Sequence, residues 1–212
     1  LAALEASGFP LKPLHGTKNA LSAMSRGEAL IKGAAGLAIP RRSHVAQKSR
    51  YVRLIQWRLV MAYAGFEIFA KACLGDPKKD GIHKQDIDRL ASGLPAAGLR
   101  LEQPRLTPKV IRWITREGNG NPIDVVGDFL GMGKANRESI HLWLKGTPII
   151  SYPDACNLAR ILRHATAHGM LSPDKCQDLG LVDAMTVLPK AINEVRRGVI
   201  FRIYQSRERG SD

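Results

Sequence analysis

Residues 154–169 read DACNLARILRHATAHG, and the periodicity of this stretch decides the fold class. At about 100° per residue from Arg163, the residues Ala155, Leu158, Ala159, Leu162, Ala165, Thr166 and Gly169 share one arc of a helix. That arc is small and apolar, so it faces a core. Arg163, Arg160, His164, Asn157 and His168 share the opposite arc. The spacing predicts a helix from Pro153 or Asp154 to His168 with Gly169 as its stop.

Working outward, a second strong helix is expected from Arg50 to Leu74, closed by Gly75 and Pro77. It is apolar nearly all round except for a stripe of Arg53, Gln56, Glu67 and Lys71, and a buried helix does not carry such a stripe without a partner. Glu67 can orient an imidazole of the other helix or pair with Arg163; an ordinary interhelical salt bridge made by Glu67 or Lys71 is the plainer alternative. After Ser172-Pro173-Asp174 the chain reads as helical to Tyr204, with a break or fresh start at Pro189.

Shorter helices are expected at Lys84–Ala91, Lys109–Arg116 behind a Thr107-Pro108 cap, Ile123–Leu130 and Arg137–Leu144. No convincing period-2 run occurs and no repeat is visible, so the expectation is an all-α antiparallel helical bundle. Residues 50–212 form the bundle domain, with a helical middle insertion over about 105–150. Residues 1–49 form a basic arm carrying one short helix near Leu21–Ile31.

Lys and Arg number 32 against 19 Asp and Glu, a formal net charge of +13. Residues 1–50 alone hold eight basic and two acidic side chains. Such a field attracts polyanions, and nucleic acid is the commonest of them. Arg41, Arg42, Lys48, Arg50 and Arg53 are the candidate backbone clamps. Cys73, Cys156 and Cys176 lie in no metal-ligand spacing, and an odd count does not suggest a disulfide framework, so a reducing, cytoplasmic location is expected. Nothing near Leu1 has the order of an export signal and no apolar run is long enough to span a bilayer, so no membrane partner is expected.

Two imidazoles and two guanidinium groups on one helix face are the parts that phosphodiester chemistry requires. Imidazole moves a proton near neutral pH, and guanidinium holds phosphorane charge through forked hydrogen bonds. His164 and His168 lack a third ligand at useful spacing, so no metal is expected. Phosphate-binding glycine loops, nucleophile elbows and dinucleotide fingerprints are absent, and no cofactor is implied.

Arg163-His164-Ala165-Thr166-Ala167-His168, near the end of a helix and preceded by a helix with Phe66-Glu67 and Lys71, resembles the HEPN superfamily over residues 50–75 and 150–205. That resemblance implies a homodimeric bundle and a metal-independent endoribonuclease. It makes His168 the proton-transfer residue, Arg163 the phosphate stabiliser and His164 the polar residue that orients them. Glu67, Lys71, Asn157 and Arg160 support them, and an antitoxin or other protein regulator becomes a candidate partner.

Two other readings stand beside it. One is a non-catalytic basic helical module that binds nucleic acid or protein. The other is a helix-turn-helix over Phe129–Gly146, with Asn136, Arg137, Ser139 and His141 directed to a groove. Trp57, Trp113 and Trp143 are expected to anchor packing. His15, His44, His83 and His141 have no partner at revealing spacing and are expected on the surface or in loops.

Overall fold

A computed structural model describes residues 17–39, 48–76, 79–116, 126–127, 130 and 137–208. The protein is all-α: helices α1 (Thr17–Gly36), α2 (Lys48–Cys73), α3 (Lys84–Ala91), α4 (Pro108–Arg116), α5 (Arg137–Leu144), α6 (Tyr152–Ala167), α7 (Pro173–Asp178) and α8 (Val182–Glu208). No strand occurs among the described residues, where Leu101 and Ile149 make an isolated antiparallel bridge. Helices α2 to α6 lie within two residues of their expected bounds. Most of the helix expected at Ile123–Leu130, and the first half of the helix-turn-helix reading, fall outside the described residues.

Helix α2 is the central strut. Its buried face, with Ile55, Leu59, Ala62, Phe66 and Ala70, joins Leu158, Leu162, Leu188, Ile192 and Val195 of α6 and α8 in one core. Gln56 reaches Leu171 just beyond α6 while Glu67 reaches Arg163 within it, so α2 and α6 run antiparallel.

The helix of the basic arm is longer than expected and is packed rather than free. It crosses α2 at two glycines, where a Cβ placed on Gly27 would stand 2.6 Å from the Gly65 carbonyl oxygen and one on Gly65 would stand 2.7 Å from that of Gly27. Only residues without side chains permit that backbone approach. Buried Arg58 closes the C-terminal end of α1, its Nε donating to the Ala34 carbonyl at 2.8 Å and its Nη2 to that of Ala35 at 3.3 Å. A cation at a helix C-terminus also offsets the negative end of the helix dipole. Glu28 pairs with the buried Arg196 of α8, which ties the same helix to a second element. The arm's Gly- and Ala-rich composition concealed this because a close crossing uses small residues instead of an apolar stripe.

Pro189 does not break the last helix. It lies inside α8, which continues to Glu208. Proline removes one backbone donor and costs about 3 kcal/mol in a helix interior. Here the flanking Met185, Leu188, Ile192 and Val195 are fully buried, so packing outweighs local preference. A real break falls earlier, at Gly180 with φ of +65°, where a Cβ would meet the Arg105 backbone at 2.5 Å.

The middle segment leaves and returns at one place, since Leu101 and Ile149 exchange backbone hydrogen bonds of 2.9 and 3.0 Å. Trp143 is buried there and its indole N–H donates to the Glu102 carbonyl at 2.8 Å. Trp57 departs from expectation: it is 62% exposed.

Candidate functional site

Helix α6 begins with Ser151, whose hydroxyl accepts the Asp154 amide at 3.2 Å, with Pro153 in the first turn. It ends where expected. His168 is the C-cap, its amide donating to the His164 carbonyl at 3.1 Å, and Gly169 follows with φ of +71°. Gln56 of α2 donates to the Leu171 carbonyl at 2.7 Å and so fixes the turn that carries His168.

The polar arc of α6 opens only in its second half. Asn157 is fully buried rather than on the open side, because α3 and α8 also pack against α6. Its Oδ1 accepts from Arg160 Nε at 3.3 Å and Nη2 at 3.1 Å, so it orients a guanidinium instead of meeting a ligand. Beyond it the arc holds Arg160 and Arg163, both half-buried, and His164 and His168, both exposed.

The two imidazole rings are neighbours, with centroids 4.3 Å apart and planes tilted by 50°. Arg163 turns toward α2, where its Nη2 lies 3.6 Å from Glu67 Oε2 and its Cζ lies 5.9 Å from the centre of the Tyr63 ring. Glu67 is held from the other side by Lys71 at 3.0 Å. Partial burial, with the positive charges of His168, Arg163 and Arg160 adding to it, pushes the His164 imidazole below its usual range. Its neutral, proton-accepting form is thereby favoured near pH 7.

Comparisons of the chain with protein-family models, curated proteins and solved structures find no match. The site is therefore read from its own geometry.

Arg160, Arg163 and His164 form one wall of a cavity of about 320 Å³, and Tyr63 and Glu67 of α2 form another. Asp80, Gly81, Ile82 and His83, from the loop before α3, close it. That loop carries no motif; its local signal is Gly81, whose φ of +109° favours glycine. His83 is an exposed loop histidine, as expected, and it also lines the cavity and caps α3, its amide donating to Asp86 at 2.8 Å. Tyr63 Oη, Asn157 Nδ2, Arg163 Nε and Thr166 Oγ1 are buried without a hydrogen-bond partner, all on the α2 and α6 helices. Polar atoms are rarely left so, and when they cluster they mark a place where something other than packing is served.

Of the expected backbone clamps, Arg50 and Arg53 are exposed on the first turns of α2. Arg41 and Arg42, and the side chain of Lys48, lie outside the described residues. Among the described residues no group of three His, Cys, Asp or Glu side chains could hold a metal ion. No described helix is long and apolar enough to cross a membrane. The three cysteines are buried and unpaired, and burial pushes each thiol up to about 12, so they are inert structural residues.

Proposed function

We propose that the protein is a metal-independent endoribonuclease of the HEPN type. The observation that carries this reading is the pair of imidazoles, His164 on the last turn of α6 and His168 at its C-cap with centroids 4.3 Å apart, beside Arg160 and Arg163 on the preceding turns. His164, biased toward its neutral form, takes the proton of a ribose 2′-OH. The 2′-oxygen attacks the adjacent phosphorus, and the bond to the 5′-oxygen breaks as His168 donates a proton to that oxygen. The products are a 2′,3′-cyclic phosphate and a 5′-OH. Arg163 and Arg160 hold the charge on the non-bridging oxygens, a term that grows in the transition state and so accelerates the step. Glu67 and Lys71 fix Arg163 from behind. The family reading adds a second copy of the chain and a protein regulator such as an antitoxin as partners.

Incubating the protein with RNA in EDTA tests this. Cleavage is expected to persist without metal, to leave cyclic phosphate ends, and to fall about 100- to 10,000-fold in His168→Ala. DNA of the same sequence is expected to resist, because it lacks the nucleophile. Cleavage unchanged in both His168→Ala and Arg163→Ala removes these residues from the mechanism.

A non-catalytic binding module is favoured by one observation: Arg163 faces Glu67 and Tyr63 rather than open solvent. It predicts salt-dependent RNA binding with no cleavage, unaffected by either substitution.

A further inference from the structure

Helix α2 presents four arcs, and three are covered by described residues. Taking Arg53 as zero at roughly 100° per residue, Arg58, Gly65 and Phe69 fall near 120–160°, where α1 crosses. Ile55, Leu59, Ala62, Phe66 and Ala70 fall near 180–260° and are fully buried in the core. Tyr63, Gln56 and Glu67 fall near 280–320° and meet α6 and the turn after it. The remaining arc, from about 0° to 80°, is half-buried toward its C-terminal end, at Met61, Ala64, Ile68 and Lys71, and open at its N-terminal end, at Arg50, Arg53 and Trp57. Arg50 and Arg53 are exposed and Trp57 is 62% exposed.

Trp57 is exposed one turn beyond Arg53 and two turns beyond Arg50 on the same face of the helix. Gln56, on the adjoining arc about 100° from Trp57, bonds Leu171, three residues beyond His168, so this half of α2 lies at the level of the histidine turn. Charge decides the occupant, since two guanidinium groups attract a polyanion and an indole face accepts an unpaired base by stacking. A duplex keeps its bases stacked on one another and offers the indole nothing.

We infer that Trp57 is a stacking platform for an unpaired base of single-stranded RNA, with Arg53 and Arg50 holding phosphates to one side of that base and leading the strand to the histidine pair. This inference rests on RNA as the ligand of the site, and not on its cleavage.

The test uses full-length His168→Ala protein in EDTA, so that the RNA stays intact, and measures binding to a single-stranded oligoribonucleotide and to the same sequence as a duplex. The single strand is expected to bind more tightly and to quench tryptophan fluorescence. Adding Trp57→Ala is expected to weaken single-strand binding roughly 5- to 100-fold and abolish the quenching. Trp57→Phe retains most of the affinity, and duplex binding does not change. Equal losses on both RNAs, or none, overturn the inference. So does a wild-type self-association that Trp57→Ala abolishes, because the face then belongs to a contact between copies. Absence of cleavage by the wild type together with Trp57-dependent binding removes the ribonuclease reading and leaves this one standing.

Discussion

Helix α2 is joined to α1 and to α6 by two contacts of opposite character. Against α1 the backbones meet at Gly27 and Gly65, and the buried cations at its edges, Arg58 and Arg196, both have acceptors. Against α6 the side chains Tyr63, Glu67 and Arg163 meet at a cavity, and Tyr63 Oη and Arg163 Nε are buried there without partners. One contact is optimised for packing and the other is not. Because the same helix makes both, the difference belongs to what each side must do, and the loosely satisfied side is the one that carries the histidines.

The largest stability effect is expected on the tight side, where Gly65→Ala puts a methyl group against the Gly27 carbonyl. Overpacking typically costs about 1–3 kcal/mol, while alanine returns up to about 1 kcal/mol of helix propensity. The net is a loss of up to about 2 kcal/mol in denaturant unfolding. Gly33→Ala, also within α1 but with no atom within 4 Å of the added Cβ, keeps only the propensity term and gains about 0.5–1 kcal/mol. The same chemical change is thus predicted to act with opposite signs in the two partners of one contact. Equal signs at the two positions mean that α1 does not lie against α2 in solution.

The polar side is expected to respond to pH, and the tight side is not. The His164 imidazole is lowered in the folded protein, so the unfolded chain binds its proton at a higher pH than the folded one. Its contribution to stability is complete above the unfolded value near 6.5. It is lost as pH falls below that value toward the folded one. Thermal melts of the wild type and His164→Gln at pH 7.5 and 5.5 read this directly, and the acid-induced drop should be smaller in the variant. The Gly65→Ala penalty should be the same at both pH values. An equal drop in wild type and His164→Gln removes His164 as the source of the sensitivity.

The two sides also differed in how far sequence revealed them. Periodicity placed α2 and α6 closely and offered Arg163 as one of the partners of Glu67, because amphipathic helices write their neighbours into their stripes. The histidine pair was legible for the same reason: positions four apart on a helix share a face. Asn157 was misplaced because a wheel describes one helix, and its burial depends on what else packs there. The α1 crossing was illegible, since glycines at 27 and 65 announce nothing until two distant segments meet. Trp57 and Pro189 misled in the usual sense of each residue, one expected inside and left exposed, the other expected to break a helix that neighbouring burial maintains.

The smallest effect is expected at Tyr63, and it bears most directly on the contrast. The ring is buried and makes an edge-on contact with Phe66, centroids 5.9 Å apart, while burial raises the hydroxyl's pKa and keeps it protonated. Removing a buried polar atom that lacks a partner restores no lost bond and relieves its desolvation, so Tyr63→Phe should leave stability unchanged or raise it by up to about 1 kcal/mol. The aromatic packing and the Arg163 contact with the ring face survive the change. If RNA bonds the hydroxyl, affinity for RNA falls while stability does not, which separates a binding role from a structural one. A stability loss of about 1 kcal/mol or more instead means that the hydroxyl is bonded in the free protein. The α6 side of the helix would then be as well satisfied as the α1 side, and unsatisfied polarity would not distinguish the two faces.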